Sequence, residues 1–257
     1  MEHVIIIGSG NVAEALTKAL AESPIYELTQ IVARNEERGR QLADMAGCGF
    51  TSDWAETDRA DIYIIAVADR AIAEASGRID FGDGVVAHTA GGLNVNVLDQ
   101  KIEHRAVLYP LQTFSAGREV DLSQVPLFVE GSTQRATDTV TALAQRLSRN
   151  VRYASSAQRA HAHLAAVFAS NFTNYMYIVA EQVLANSGME FELLAPLIEE
   201  CAAKAVACGS PRLSQTGPAM RGDIVTQNNH RAMLSDARLR EIYITLSENI
   251  WQTLRKR

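Results

Sequence analysis

The chain has 257 residues, of which 47% are hydrophobic and 21% charged, and its formal net charge is −6. This length can bury one large core or two moderate ones, and the composition is typical of a soluble globular protein. The acidic charge disfavours a nucleic-acid partner, and no apolar run approaches the roughly 18 residues of a membrane span. The start MEHVIII has no basic n-region and the chain has three cysteines, so we expect a cytoplasmic protein without a signal peptide or disulfides.

Short apolar runs alternate with helical patterns up to about residue 153. Continuously apolar stretches, typical of strands covered on both faces, predict strands at 3–7, 29–33, 62–67, 84–88, 106–110 and 126–130. Amphipathic patterns predict helices at 12–22, 36–46 and 70–78. The alternation of strand and helix predicts an α/β fold with a doubly wound, parallel sheet.

No strand is predicted after residue 153. Helices are predicted at 156–187, 191–208 and 237–254, and the segment between the last two is interrupted by Pro211, Gly217, Pro218 and Gly222. We therefore expect two domains: an α/β domain over residues 1–153 and an all-helical domain over residues 154–257.

The first predicted strand runs directly into the sequence GSGNVA. Gly8 permits a tight turn, Gly10 lets a pyrophosphate approach the backbone, and the small Ala13 lets the following helix pack closely. The start of that helix offers free N–H groups to phosphates. Because the motif lies between a strand and a helix, it predicts the nucleotide-binding turn of a Rossmann-like domain, with a purely structural turn as the alternative. The residues expected to hold the dinucleotide here are Gly8, Ser9, Gly10, Asn11 and Val12.

The tip of the second predicted strand indicates which dinucleotide binds. An NAD site usually has an acidic residue there for the ribose 2′-hydroxyl, but this strand ends in Arg34 and Asn35. Arg34 can stack on adenine and pair with a 2′-phosphate, and Asn35 can hydrogen-bond the same phosphate, so NADP is predicted over NAD. Alternatively, Asn35 only caps the following helix and Arg34 is solvated.

The next two strand tips are expected to lie beside the nicotinamide half of the cofactor. Ala66, Val67 and Ala68 are small, so the ribose and nicotinamide could lie close to the backbone there. His88 begins the turn HTAGG at the end of the following strand, and ligands of open α/β sheets lie outside such ends. His88 is therefore a candidate substrate-binding residue, although bonding of its ring to loop backbone fits the sequence equally well.

A polar stripe is predicted along the first long helix of the second domain. Ser170, Asn171 and Asn174 lie seven, eight and eleven residues after His163 and share roughly one helical face with it. Buried polar groups are costly unless paired, so the stripe indicates either a cleft or polar groups satisfied within the core. Since histidine titrates near neutral pH, His163 is the candidate general acid/base, with Asn171 and Asn174 also catalytic and Ser170 a substrate contact.

Two further features concern charge and metals. Arg221, in the polar stretch TGPAMRGD, could bind a substrate carboxylate, which predicts an anionic small-molecule substrate. Asp223 could pair with Arg221 or cap the next helix. His161 and His163 are about 200° apart around a helix and cannot share an ion, so no metal site is predicted.

Taken in order, six motifs resemble one group of bacterial proteins: VIIIGSGNVAEAL, IIAVADRAI, HTAGG, YPLQTFS, HLAAVFASNFTN and TGPAMRGD. That group has a Rossmann-like NADP-binding domain followed by a C-terminal domain of unknown function, and the resemblance covers nearly the whole chain. It is similar to the 6-phosphogluconate dehydrogenase-like superfamily, which includes pyrroline-5-carboxylate reductase, prephenate dehydrogenase and a deazaflavin-dependent NADP oxidoreductase. The resemblance implies NAD(P) binding and a homodimer built from the C-terminal helices.

The long helix departs from the patterns of that superfamily. Its hydroxyacid dehydrogenases have a catalytic lysine there, but this chain has no lysine between Tyr153 and Ala203. The prephenate dehydrogenase histidine motif and the glycine- and serine-rich helix start of pyrroline-5-carboxylate reductases are absent as well. We expect an NADP-dependent oxidoreductase that transfers a hydride between NADP(H) and a small carbonyl or imine substrate. The alternative, favoured by the missing lysine, is a non-catalytic NADP-binding sensor or regulatory protein.

Overall fold

The computed structural model describes residues 1–255 and divides into two units, Met1–Asn171 and Phe172–Arg257. The change of pattern predicted at residue 153 coincides with the end of the last strand, while the first unit continues to Asn171. Within the described part of the chain, no helix is both long and apolar enough to cross a membrane.

The first unit is built on a single sheet of eight strands. They are β1 (Glu2–Ile7), β2 (Tyr26–Val32), β3 (Gly49–Thr51), β4 (Ile62–Ile65), β5 (Val85–His88), β6 (Arg105–Pro110), β7 (Leu127–Gly131) and β8 (Val151–Tyr153). Their order is β3-β2-β1-β4-β5-β6-β7-β8, and only the pair β6–β7 is antiparallel. All six predicted strands are present. The two that were not predicted, β3 and β8, have three residues each, too few to show a pattern.

Helices cover both faces of the sheet. They are α1 (Asn11–Ala21), α2 (Glu36–Ala46), α3 (Ile72–Arg78) and α4 (Gln134–Leu147). Successive side chains of β1 point to opposite faces: Ile6 packs in a cluster with Leu16 of α1, whereas Ile5 packs in a second cluster with Ile72 of α3. This double cover confirms the doubly wound fold and explains why the central strands are apolar throughout.

The predicted long helix is present, but it is not regular. A capping box formed by Ser155 and Gln158 starts α5 (Ser156–Ala166), which continues through a π-helix, Val167–Phe172, into α6 (Thr173–Ala185). Such π segments are rare and are found frequently at functional sites.

The second unit is helical. After α6 it contains a 3₁₀ turn at Phe191–Leu194, then α7 (Ala195–Ala207), α8 (Pro211–Ser214), α9 (Pro218–Arg221), α10 (Ile224–Met233) and α11 (Ala237–Arg255). Among its residues whose burial is described, Ala219 alone is buried. This unit therefore has very little core of its own.

A buried ion pair attaches α5 to the sheet. Arg159 of α5 is fully buried and is paired with Glu130 of β7, and it also donates to the backbone oxygen of Leu93. Glu130 accepts from the backbone N–H of Ser156 at 3.0 Å and from its hydroxyl at 2.7 Å, and that hydroxyl accepts from the N–H of Val95 at 3.2 Å. The network joins β7, α5 and the loop that follows β5.

Removing one partner of this pair should strongly destabilise the first unit. In Glu130→Gln the buried charge of Arg159 loses its counter-charge, so the free energy of unfolding should fall by about 3–5 kcal/mol. The control Glu200→Gln breaks an exposed pair with Lys204 and should cost little. Urea denaturation measures the free energy of unfolding of both variants. Equal losses would show that the buried pair stabilises the protein no more than an exposed one.

Candidate functional site

Two adjacent pockets lie at the carboxyl ends of the central strands. One has a volume of about 240 Å³ and the other about 380 Å³, and they share Gly10 and the segment Ala66, Val67 and Ala68. The ten residues predicted to bind the cofactor all line one or both of them: Gly8, Ser9, Gly10, Asn11, Val12, Arg34, Asn35, Ala66, Val67 and Ala68. The pockets therefore form one elongated cleft at the position where open α/β sheets bind ligands.

The glycine turn between β1 and α1 has the shape of a phosphate cradle. Gly8 has a φ of +132°, and a Cβ there would lie 2.3 Å from the backbone oxygen of Ala66, so a larger residue would push the tip of β4 away. A Cβ on Gly10, by contrast, would meet nothing within 4 Å and would point into open space. That space lies at the N-terminus of α1, and the start of a helix offers backbone N–H groups to phosphates.

The smaller pocket is lined by Arg34, Asn35 and Trp54. The Asn35 side chain accepts from the N–H of Arg38 at 3.0 Å, so the helix-capping role considered from the sequence is present. Trp54 was not predicted. Its ring lies 5.3 Å from the guanidinium carbon of Arg78 and offers an aromatic wall for a nucleotide base. Trp54 follows β3, which pairs with β2, the strand that leads to Arg34.

The larger pocket contains four residues that the cofactor prediction did not include: Asp69, Thr89, Gln112 and Phe114. The side chain of Asn11 donates to the backbone oxygen of Phe114 at 2.9 Å. This bond ties the loop after β6 to the start of α1. Gln112 and Phe114 belong to the motif YPLQTFS, which was noted in the sequence but not assigned a role.

The histidine predicted as acid/base is hydrogen-bonded to a tyrosine beside the loop that follows β5. The hydroxyl of Tyr109, in β6, lies 3.1 Å from Nδ1 of His163 in α5. Gly91 lies against both rings, and a Cβ there would be 2.5 Å from Cζ of Tyr109 and 2.9 Å from Nδ1 of His163. Tyr109 and His163 are not among the described residues that line the larger pocket; Gly91, which lies against both rings, follows the pocket residue Thr89 by two positions along the chain.

His88 is the last residue of β5 and directly precedes the loop that contains Gly91. Its side chain is fully buried, its Nδ1 accepts from the N–H of Ala90 at 3.2 Å, and its Nε2 has no hydrogen-bond partner among the described residues. Burial, together with the charge of Arg159, lowers the pKa of His88 to about 4. The bond to loop backbone considered from the sequence is thus present, and His88 lines neither pocket. Its predicted contact with substrate stays a prediction.

The structure places the remaining predicted residues in different parts of the chain. Ser170 and Asn171 are in the π-helix, whereas Asn174 and Arg221 belong to the second unit. The spacing that predicted one shared face assumes a regular α-helix, which the π segment interrupts. Asp223 caps α10, accepting from the N–H of Thr226 at 3.0 Å. The roles of the first four residues at a substrate stay predictions.

One cluster outside the cleft combines three possible metal ligands. Ligand atoms of Asp83, Glu103 and His104 lie within 4.8 Å of one another. However, Nη1 of Arg135 donates to Asp83 at 2.6 Å, and Nδ1 of His104 lies 2.9 Å from the hydroxyl of Thr133. Since the Asp83 carboxylate already has a cationic partner, the cluster is an ion pair at the protein surface.

Two protein-family models match the chain, one in its N-terminal part and one in its C-terminal part. Residues 3–90 match the family described as "NADP oxidoreductase coenzyme F420-dependent", and residues 125–250 match a domain of unknown function, DUF2520. These matches confirm the resemblance inferred from the six motifs. None of the curated protein sequences compared with the chain matches it significantly.

Solved structures show the same architecture. A Bacteroides fragilis protein, provisionally described as an NADP oxidoreductase, is 38% identical with a TM-score of 0.90, over 98% of each chain. The imine reductase from a Pseudomonas species is 13% identical with a TM-score of 0.70, over 98% of this chain and 94% of that one. Pyrroline-5-carboxylate reductase from Streptococcus pyogenes is 15% identical with a TM-score of 0.60, over 98% of both chains. At these last two identities the likeness shows a shared fold.

The two glycines of the cradle should respond differently to alanine. Gly10→Ala should fold normally, because nothing lies within 4 Å of the added methyl group, yet weaken NADPH binding about tenfold or more by filling the pyrophosphate space. Gly8→Ala should lower the thermal unfolding midpoint as well, because its methyl group would overlap Ala66. Nucleotide-fluorescence titration and thermal unfolding measure both effects. Unchanged affinity in Gly10→Ala would mean that the turn is only structural.

Proposed function

Because this chain belongs to the same family as the Bacteroides fragilis protein, we propose that it is an NADP-dependent oxidoreductase acting on a small carbonyl or imine substrate. The observation that carries the proposal is that the cleft and the Tyr109–His163 pair lie at the same edge of the sheet. The nucleotide cradle and the larger pocket share Gly10, and the segment from Thr89 to Gly91 connects that pocket to the Tyr109–His163 pair. A nucleotide-binding end and an acid/base end thus occupy the same edge of one sheet.

The residues of the cleft divide the binding of NADP(H) between them. The turn from Gly8 to Val12 would hold the pyrophosphate, and Trp54 would pack against the adenine. Ala66, Val67 and Ala68, with small or compact side chains at the tip of β4, would leave room for the ribose and nicotinamide. When bound, NADPH supplies a hydride.

The charges around the smaller pocket favour NADP over NAD. Arg34 is exposed and lines this pocket. The nearby Arg38 is ion-paired with Glu14 of α1, which also binds Lys18 at 2.9 Å. The hydrogen bond from Lys18, with the charge of Arg38, lowers the pKa of Glu14, so this carboxylate stays ionised and keeps Arg38 engaged. Arg34 is therefore the cation proposed to pair with a 2′-phosphate, with Asn35 beside it.

At the other end of the cleft, a reduction needs a proton for the substrate atom that gains negative charge. The Tyr109–His163 pair provides titratable groups there, so His163 is proposed to take part in proton transfer. Ser170 and Asn171 follow on the same continuous helix and are proposed as polar contacts for the substrate. We also propose that Asn174 is a catalytic residue and that Arg221 binds an anionic group of the substrate. Both proposals rest on the chemistry of the side chains.

We also propose that the protein is a homodimer formed through its C-terminal helices. The second unit exposes large apolar side chains: Leu193, Leu197, Val206, Leu213, Ile224, Val225 and Met233. With Ala219 as its one buried residue among those described, the unit cannot be stabilised by its own core. A second copy would cover such a surface, as in oligomers whose interfaces resemble a divided core.

The function is tested by supplying NADPH and a panel of cyclic imines and aldehydes and following the loss of nicotinamide absorbance. The enzyme should consume NADPH faster than NADH. Arg34→Ala should weaken NADPH binding about tenfold or more and leave NADH binding unchanged, because only NADPH carries the 2′-phosphate. The control Arg152→Ala removes an exposed arginine of β8 and should change neither affinity.

Two outcomes would contradict the proposal in different ways. Tight NADPH binding without turnover of any panel member would favour the alternative, a non-catalytic NADP-binding sensor or regulatory protein. Equal effects of Arg34→Ala on both nucleotides would show that Arg34 does not read the 2′-phosphate.

A further inference from the structure

We infer that Tyr109, rather than His163, donates the proton to the substrate, and that His163 positions the phenol and resupplies its proton. This inference rests on the proposed function and identifies the proton donor of the proposed reduction. It gives a role to Tyr109, which no sequence motif had singled out as catalytic.

The first supporting observation is the position of Tyr109 in the sheet. β5 and β6 run parallel with His88 opposite Val107, so Tyr109, two residues further, extends past the end of β5. There it lies beside the loop that continues from the pocket residue Thr89. Its ring is anchored by Phe128 on the neighbouring strand, stacked at a centroid distance of 6.3 Å. The phenol is thus held on β6, beside the loop that leads from the pocket residue Thr89 to Gly91.

Contacts to His163 and Gly91 fix the direction of the phenol. The two aromatic rings meet edge to face with centroids 5.9 Å apart, and the hydroxyl reaches Nδ1 at 3.1 Å. With a proton on Nδ1, His163 donates to the Tyr109 oxygen, which leaves the phenol O–H free for a substrate atom. Since Gly91 has no side chain, the two rings can approach the loop backbone this closely.

The surroundings keep Tyr109 in the form that a donor needs. Burial raises its pKa and the Asp69 carboxylate adds to the rise, while the charge of Arg159 acts in the opposite direction. The phenol therefore stays protonated at neutral pH. His163 is only half-buried, so it can exchange protons with solvent, whereas Tyr109 is 8% exposed and depends on a relay.

The reaction balances with these groups and a nicotinamide reductant. The carbon of the C=N bond accepts a hydride, which oxidises NADPH to NADP⁺, and the π electron pair moves to nitrogen. That nitrogen takes the proton of the Tyr109 O–H, forming an N–H bond. Nε2 of His163 takes up a proton from solvent, and the resulting imidazolium gives its Nδ1 proton to the phenolate. Loss of the Nε2 proton and return of a proton to Nδ1, both through solvent, restore the starting tautomer. The products are an amine and NADP⁺.

Tyr109→Phe with two matched substrates tests this role. A cyclic imine at a pH where it is mostly unprotonated requires a proton, but its N-methyl iminium salt carries a permanent charge and does not. Tyr109→Phe should lose about 100-fold or more in kcat on the imine and little on the iminium salt, with NADPH affinity unchanged. The control Tyr153→Phe removes the hydroxyl of an exposed tyrosine on β8 and should affect neither substrate.

The same pair of substrates tests His163 as a positioning residue. His163→Ala should slow only the imine reaction, and added imidazole should restore part of the rate, because the missing group is the source of Tyr109's proton. Turnover of the iminium salt shows that each variant is folded and binds its cofactor.

Three results would overturn the assignment. Equal losses on both substrates would make Tyr109 structural, and an undiminished rate on the imine would show that another group donates the proton. If the wild-type protein bound NADPH but reduced neither substrate, nor any other member of the panel, the proposed function itself would fail, and the role of Tyr109 with it.

Discussion

A guanidinium group with no contact to water joins the segments around the proposed acid/base pair. Arg159 is fully buried, and a buried charge is tolerated only when its partners compensate for the lost hydration. Those partners are Glu130 of β7 and the backbone oxygen of Leu93, in the loop after β5. Because they belong to different segments, the charge fixes where the loop, the strand and α5 meet. His163 lies one helical turn beyond Arg159, so the same contact attaches the part of α5 that carries the partner of Tyr109.

Different physical features are decisive at the nucleotide end of the cleft and at the end near the Tyr109–His163 pair. At the nucleotide end, backbone geometry is decisive: the turn at Gly8 and the open space above Gly10 form a cradle from main-chain atoms. At the end proposed to be reactive, the decisive feature is a polar network in a poorly hydrated region, where hydrogen bonds and charges act more strongly than in water. His88, kept neutral by burial, adds no charge behind that loop at neutral pH. The fold can therefore keep its cofactor site while the chemistry beside it changes, as expected when function resides in a site rather than a fold.

The fold, and the position of the ten predicted cofactor residues along one cleft, were predictable from sequence because their signals are local. An apolar strand, a glycine turn and an amphipathic helix follow one another within a few residues, and Arg34 lies at a position set by the motif. Trp54 and Arg159 gave no such signal, and Tyr109 opens the motif YPLQTFS without any local sign of its role, since strand pairing and partners distant in sequence decide what these residues do. The helical stripe was predicted from α-helical spacing, and no sequence pattern indicated the π segment that interrupts it.

The central claim is that the nicotinamide lies in the larger pocket, facing the Tyr109–His163 pair. A crystal structure of the protein with NADP⁺ and a non-reducible imine analogue tests it most directly. Our account predicts the pyrophosphate over Gly10 and the analogue between the nicotinamide ring and the Tyr109 hydroxyl, within hydrogen-bond distance of that hydroxyl. A nicotinamide turned away from Tyr109, or an analogue whose nitrogen is bonded to another acid, would contradict it.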